Sequence, residues 1–160
     1  MSKIFQNSLL IAFLMSVAAL SIVFIAQYGF NLNPCVLCVY QRWPLVAVIA
    51  FVLVWYGLRN KLPAGIFKVL CALAFATTAG IAAFHVGVEQ HWWQGTSTCT
   101  ADAATVTSLS ALKAQIMAAP IAKCDEVAWQ MFGISMAGFN FIFAAAMTVF
   151  MVLSTVRRAN

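Results

Sequence analysis

Charged side chains are scarce in this chain, 8% of 160 residues, against roughly 25% in an ordinary soluble domain. With 64% of residues hydrophobic, that shortfall excludes a water-solvated globule and indicates a membrane protein. The cationic excess is small, nine Lys and Arg against four Asp and Glu. No basic run and no strip of cations interleaved with aromatics occurs, so the electrostatic footprint of nucleic-acid binding is missing. No repeat, low-complexity segment or second domain is apparent, and the length suits a single integral membrane domain. The sequence also lacks a second CxxC, and no strand leads into the one at Cys35 and Cys38. Half a zinc site and a thioredoxin-like motif are therefore both poor fits. Two histidines and four outward-placed cysteines do not make a standard zinc spacing, so no metal site is expected.

What is present is four apolar spans, over 8–30, 39–58, 66–88 and 134–156, each close to the roughly 20 residues that cross a bilayer. The first follows Lys3 but is longer than a signal-peptide core and has no small-x-small cleavage site, so it is expected to stay as a span. Pro44 sits early in the second and leaves the Tyr40 carbonyl without its helical donor, so a kink or a polar partner is expected there. Lys3, Arg59, Lys61, Lys68, Arg157 and Arg158 fall at the ends and in the short turn over 59–65, all on one side of an even number of spans. The positive-inside rule makes that side cytoplasmic, with both termini. The segments over 31–38 and 89–133 then lie outside. These features predict an all-α membrane protein, a four-transmembrane-helix bundle with one short and one long outer loop. In the long loop, Leu109, Leu112 and Ile116 recur at helical spacing, predicting a short amphipathic helix over 105–119 on the membrane boundary, ended by Pro120. Trp92 and Trp93 read as headgroup-level anchors.

This topology puts Cys35, Cys38, Cys99 and Cys124 outside, while Cys71 reads as a small buried hydrophobe in the third span. Four thiols in an oxidising compartment imply disulfides, with three connectivities possible. Cys35 with Cys38 and Cys99 with Cys124 is the favoured resting set: the first two are neighbours, and the others bracket one segment. A CxxC closes almost no loop and so stabilises little, which suits exchange chemistry better than stapling. Asn33 is a good N-cap and Pro34 a good first helical residue, which would place Cys35 and Cys38 in the first turns of a helix whose dipole favours thiolate. Arg42 would then share their face, beside Tyr40 and Trp43, as a fixed charge able to stabilise a thiolate or bond an acceptor's carbonyl; the plainer alternative is an arginine snorkelling to the interface. A disulfide handed outward leaves two electrons behind, and the lipid-soluble carrier within reach of a span is quinone.

The motif Pro34-Cys35-Val36-Leu37-Cys38 followed by Gln41-Arg42, a cysteine pair in the second outer loop, and Cys124 leading into Trp129-Gln130-Met131-Phe132-Gly133-Ile134-Ser135-Met136 together resemble the disulfide bond formation protein B (DsbB) family over nearly the whole chain. The resemblance implies a bacterial inner-membrane thiol:quinone oxidoreductase, using ubiquinone or menaquinone, that reoxidises a periplasmic thioredoxin-fold dithiol protein of the DsbA type. By motif position it implies that Cys38 is the thiolate meeting quinone and Cys35 its disulfide partner. Cys99 would be the sulfur attacked by the partner protein, and Cys124 the sulfur that passes electrons to the CxxC. Arg42 matches the family's quinone-site arginine, and Glu89 and His91 fall in its polar stretch after the third span. Two other classes share some of these features. A vitamin K epoxide reductase-like enzyme would carry its CxxC nearer the end of the chain, and a disulfide-stapled tetraspan scaffold would need no acceptor.

Overall fold

The computed structural model describes residues 7–96 and 122–159, with side chains described through Val156. Among these, four helices are long and apolar enough to cross a membrane: α1 (Ser8–Gly29), α2 (Val36–Leu58), α3 (Ala64–Glu89) and α4 (Met136–Ala159). At 1.5 Å per residue, a helix of 22 residues is about 33 Å long, enough for a hydrocarbon core of about 30 Å. The expected amphipathic helix over 105–119 lies outside the described residues, as does Cys99.

The helix ends follow local chemistry. At the close of α1, Asn31 takes a left-handed φ of 52°, which asparagine tolerates, and the Leu32 N–H reaches back to the Ala26 carbonyl at 3.2 Å. α2 begins two residues later than Asn33 as a cap would dictate: Cys35 itself is the N-cap, with extended backbone. The helix then runs on through Pro44. The turn after α2 bonds Lys61 and Leu62 back to the Leu58 carbonyl at 2.8 and 3.0 Å, and α3 starts after Pro63. α3 ends in a Schellman arrangement: His91 is left-handed (φ 58°), its N–H bonds the Val88 carbonyl and the Trp92 N–H bonds the Gly87 carbonyl at 3.1 and 2.9 Å.

α3 packs most extensively on α4 and then on α2, while α1 leans chiefly on α2. The distribution is that of a bundle in lipid. Large apolar side chains such as Leu14, Ile22, Leu53, Leu73, Ile142 and Val149 face outward, while Ala12, Ala82, Ala144, Ser16, Thr78 and Ser154 are buried. Small residues let the backbones approach, and contact rather than water exclusion holds such helices together. One core cluster centres on Val48, Val52, Cys71, Phe75 and Met151. Cys71 is fully buried there, as its apolar setting in the sequence predicts. A second, smaller cluster joins Cys35 and Leu37 to Val88 and Cys124.

Before α4 stands an antiparallel hairpin that hydropathy does not reveal, β1 (Gln130–Met131) with β2 (Ile134–Ser135), paired Gln130 to Ser135 and Met131 to Ile134. Its loop residues Phe132 and Gly133 both have positive φ, 54° and 76°, as a two-residue primed turn needs. Ile134 and Ser135 therefore belong to a strand, and the fourth helix starts at Met136.

Candidate functional site

Cys35 occupies the last extended position before α2, so its sulfur turns back over the helix start and accepts the Cys38 N–H at 3.3 Å. The Cys35 and Cys38 sulfurs are 2.9 Å apart. Both are thiols, where the sequence favoured a closed ring. The shared helical face expected for all three residues does not form: Cys38 and Arg42 share α2, but Cys35 precedes the helix and meets its partner through capping. The Cys35 thiol is drawn down to about 4, first by its hydrogen bond with the Cys38 thiol and then by His85, against burial, which opposes ionisation.

His85, one of the two histidines of the chain, is central to the geometry. Its Nε2 lies 3.4 Å from Cys35 Sγ and 3.8 Å from a Glu89 carboxylate oxygen one turn along α3. On its other side, Nδ1 is 3.0 Å from the Gln41 side-chain nitrogen. Gln41 in turn accepts the Asn140 amide N–H at 2.6 Å, so α2, α3 and α4 meet through one chain of polar groups. Glu89 accepts the Ser135 hydroxyl, and Ser135 Oγ also caps α4 by accepting the Gly138 N–H at 3.1 Å. Gln41, His85 and Ser135 are all buried. Unbonded polar groups at such depth would cost several kcal/mol each, which is why these occur as a connected set.

The sulfurs open onto a cavity of about 400 Å³ bounded by Cys35, Cys38, Arg42, His85, Glu89 and Asn140, with an apolar wall from α1 that includes Ala18, Ile22 and Ala26. The volume falls in the usual range for small-molecule pockets, about 300–1,000 Å³, and a mostly apolar lining with a few converging polar groups is typical of them. Arg42 donates to the Gln27 side-chain oxygen at 2.7 Å, and its guanidinium carbon stands 5.3 Å from the centre of the Phe24 ring. The expected neighbours Tyr40 and Trp43 are exposed instead. The aromatic partner of Arg42 is thus on α1, in the preceding helix, and no helical spacing within α2 could have supplied it.

Of the residues singled out in the sequence, the structure gathers Cys35, Cys38, Arg42 and Glu89 around one cavity. His91 is set apart from the cavity lining; as the left-handed residue closing α3, it has Nδ1 3.3 Å from the Val88 carbonyl. Cys124 is fully buried, disulfide-bonded and packed in the small cluster with Cys35. Trp93 packs its indole on Gly87, where a Cβ would overlap the ring, and donates to the Phe84 carbonyl at 3.0 Å. That is a tighter placement than a freely anchoring tryptophan needs. The residues missed were Gln27, Gln41, His85, Ser135 and Asn140. Their signal was available, since isolated polar side chains inside apolar spans are expensive and mark functional interiors.

A family model described as disulfide bond formation protein DsbB matches residues 6–154. An uncharacterized protein of Rickettsia prowazekii is 28% identical over 148 residues, 90% of this chain and 84% of that protein. The disulfide bond formation protein B of Methylobacillus flagellatus is 25% identical over 146 residues, 89% of this chain and 88% of that protein. That of Herminiimonas arsenicoxydans is 34% identical over 89 residues, 54% of this chain and 56% of that protein. No solved structure matches the chain. Because the family model extends over nearly the whole sequence, from the first span to the last, the chain belongs to the DsbB family of disulfide bond formation proteins.

Proposed function

We propose that this protein is a thiol:quinone oxidoreductase of the bacterial inner membrane that reoxidises a periplasmic, DsbA-like thioredoxin-fold dithiol protein and passes the electrons to the quinone pool. The observation that carries this reading is the pair of buried Cys35 and half-buried Cys38 opening directly onto an apolar cavity of about 400 Å³ with Arg42 on its wall. A quinone head group fits that donor set: flat apolar walls for the ring, a guanidinium for a carbonyl oxygen, and two sulfurs as the source of electrons. Arg42, with Glu89 and Asn140, would hold it there. When bound, a quinone supplies a sink for two electrons and two protons.

The chain's own residues account for the remaining steps. A partner thiolate attacks Cys99 in a Cys99–Cys124 disulfide, forming a mixed disulfide and releasing Cys124 as thiolate. The partner's second thiol resolves it, leaving the partner oxidised and Cys99 and Cys124 reduced. These two then reduce a Cys35–Cys38 disulfide and regenerate their own bond. The packing of Cys124 against Cys35 supports this order, because the exchanging sulfurs belong to one cluster. In the resulting dithiol, the hydrogen bond from Cys38 and then His85 draw Cys35 toward thiolate. The electrostatics therefore favour charge on Cys35 before any acceptor arrives, whereas the family pattern assigns the acceptor contact to Cys38. Direction follows from potential: a DsbA-like partner near −120 mV is itself strongly oxidising, so only a more oxidising sink keeps it charged, at about 1.4 kcal/mol per 30 mV.

The test is to mix the purified full chain with a reduced thioredoxin-fold partner and either ubiquinone or menaquinone, following quinone absorbance. Loss of the quinone spectrum in step with partner oxidation is expected. A partner that stays reduced with both quinones would refute the assignment and leave a disulfide-stapled scaffold.

A further inference from the structure

Resting on the reading above, we infer that His85 is a catalytic hydrogen-bond donor to Cys35, and that Gln41 and Asn140 are positioning residues that determine which imidazole nitrogen carries the proton. Asn140 donates to the Gln41 oxygen at 2.6 Å, which leaves the Gln41 NH₂ facing His85 Nδ1 at 3.0 Å. A neutral imidazole that accepts at Nδ1 carries its hydrogen on Nε2. Nε2 is the atom 3.4 Å from Cys35 Sγ, so the N–H is aimed at the sulfur. A thiolate at the N-cap of α2 thus receives three donors: the Cys38 N–H, the Cys38 thiol and the His85 Nε2–H. The proton released by Cys35 leaves through the cavity, and no electron moves in this step. It matters because exchange proceeds through thiolate, and a buried sulfur without donors would stay protonated at neutral pH.

Other charges surround the imidazole. Glu89 on α3 is 3.8 Å from Nε2 and competes for the same hydrogen, but it already accepts the Ser135 hydroxyl. Cys35, Cys38 and Arg42 face the cavity from the α2 side, Lys123 and Glu126 from the segment before the hairpin, and the Cys124 backbone also contacts His85. α1 contributes only apolar side chains to the lining, and α4 contributes the neutral amide of Asn140. Among these groups, the amide chain through Gln41 is the device that selects the tautomer.

The experiment reads Cys35 directly, without quinone or partner. In the reduced full-length protein carrying Cys38→Ala, which removes the competing thiol donor, Cys35 is alkylated with iodoacetamide from pH 4 to 9 and quantified by peptide mass mapping. His85→Phe should slow alkylation at pH 6 by about tenfold and move the profile to higher pH, as expected for a lost hydrogen bond to a charged group. His85→Gln, which keeps an N–H near the Nε2 position, should restore most of the rate. Gln41→Leu, which touches no sulfur, should produce an intermediate loss. Superimposable profiles for the parent and His85→Phe would overturn the inference. Should His85→Phe fail to fold, an unchanged profile in Gln41→Leu overturns it equally. Failure of the unsubstituted chain to reduce any quinone would remove the proposed function while leaving this profile intact, so the two ideas fail separately.

Discussion

Ionisation at Cys35 is where the chemistry of single residues is most exposed to measurement. Its thiol is drawn down to about 4 from an ordinary 9.0, chiefly by the Cys38 thiol. A depressed acid stays ionised above its folded value, so in the reduced protein the rate of Cys35 alkylation should hold nearly level from pH 8 to about 5 and fall as pH drops through about 4. A profile that instead rises steeply through pH 8 to 9 would mean an unperturbed thiol. Cys35→Ala or Cys38→Ala should abolish quinone reduction by a reduced partner, and normal turnover in either variant would disprove their assignment. Arg42 reaches the cavity wall with one guanidinium nitrogen held by Gln27, leaving others for a ligand. Arg42→His should therefore raise the apparent KM for quinone by about tenfold, the scale of a lost hydrogen bond to a charged group, with a smaller change in kcat. An unchanged KM would reduce Arg42 to an interfacial anchor.

At the scale of elements, the site depends on how helices begin and end. Ser135 serves two of them at once, capping α4 through the Gly138 N–H and donating to Glu89 at the close of α3. Ser135→Ala should cost about 1 kcal/mol for the cap alone, and more because Glu89 is left buried beside His85. A lower thermal midpoint in detergent, with turnover reduced alongside, is expected. A midpoint equal to that of the unsubstituted protein would show the cap to be dispensable. The end of α3 is equally constrained: Gly87 lies under the Trp93 ring, and Trp93 stacks on Phe84 with centroids 5.9 Å apart. Gly87→Ala should expel the indole, visible as a shift in tryptophan fluorescence together with a loss of stability. Gln41 links the same elements from the side of α2, its burial at one helical turn from Cys38 being what brings Asn140 within reach of His85.

For the molecule as a whole, the apolar spans and their order were legible because lipid imposes a simple rule: about 20 residues without charge, helical so that every backbone group is bonded within the segment. The placement of cations predicts which side each loop faces. Fusing a cytoplasm-dependent reporter to either end should yield signal from both termini, and signal from one alone would break the proposed orientation. The CxxC and its association with Arg42 could also be read, since both are local in the chain. Much of the site could not. The hairpin before α4 escaped because its turn uses Phe132 where glycine or asparagine is the usual signal. The place of His85 in the site was not legible, because its partners Cys35 and Gln41 come from another part of the chain and Asn140, which bonds Gln41, from a third helix. By itself, then, the sequence determined the number of membrane spans among the described residues, the outward apolar surface and the spacing of the Cys35 and Cys38 pair, all consequences of composition and short-range spacing. Tertiary structure alone decided that Arg42 leans on α1, that His85 stands against Cys35, and that a buried chain of amides reaches that imidazole. Those are contacts between residues 15 to 99 positions apart, and only helix packing brings such residues within hydrogen-bonding distance.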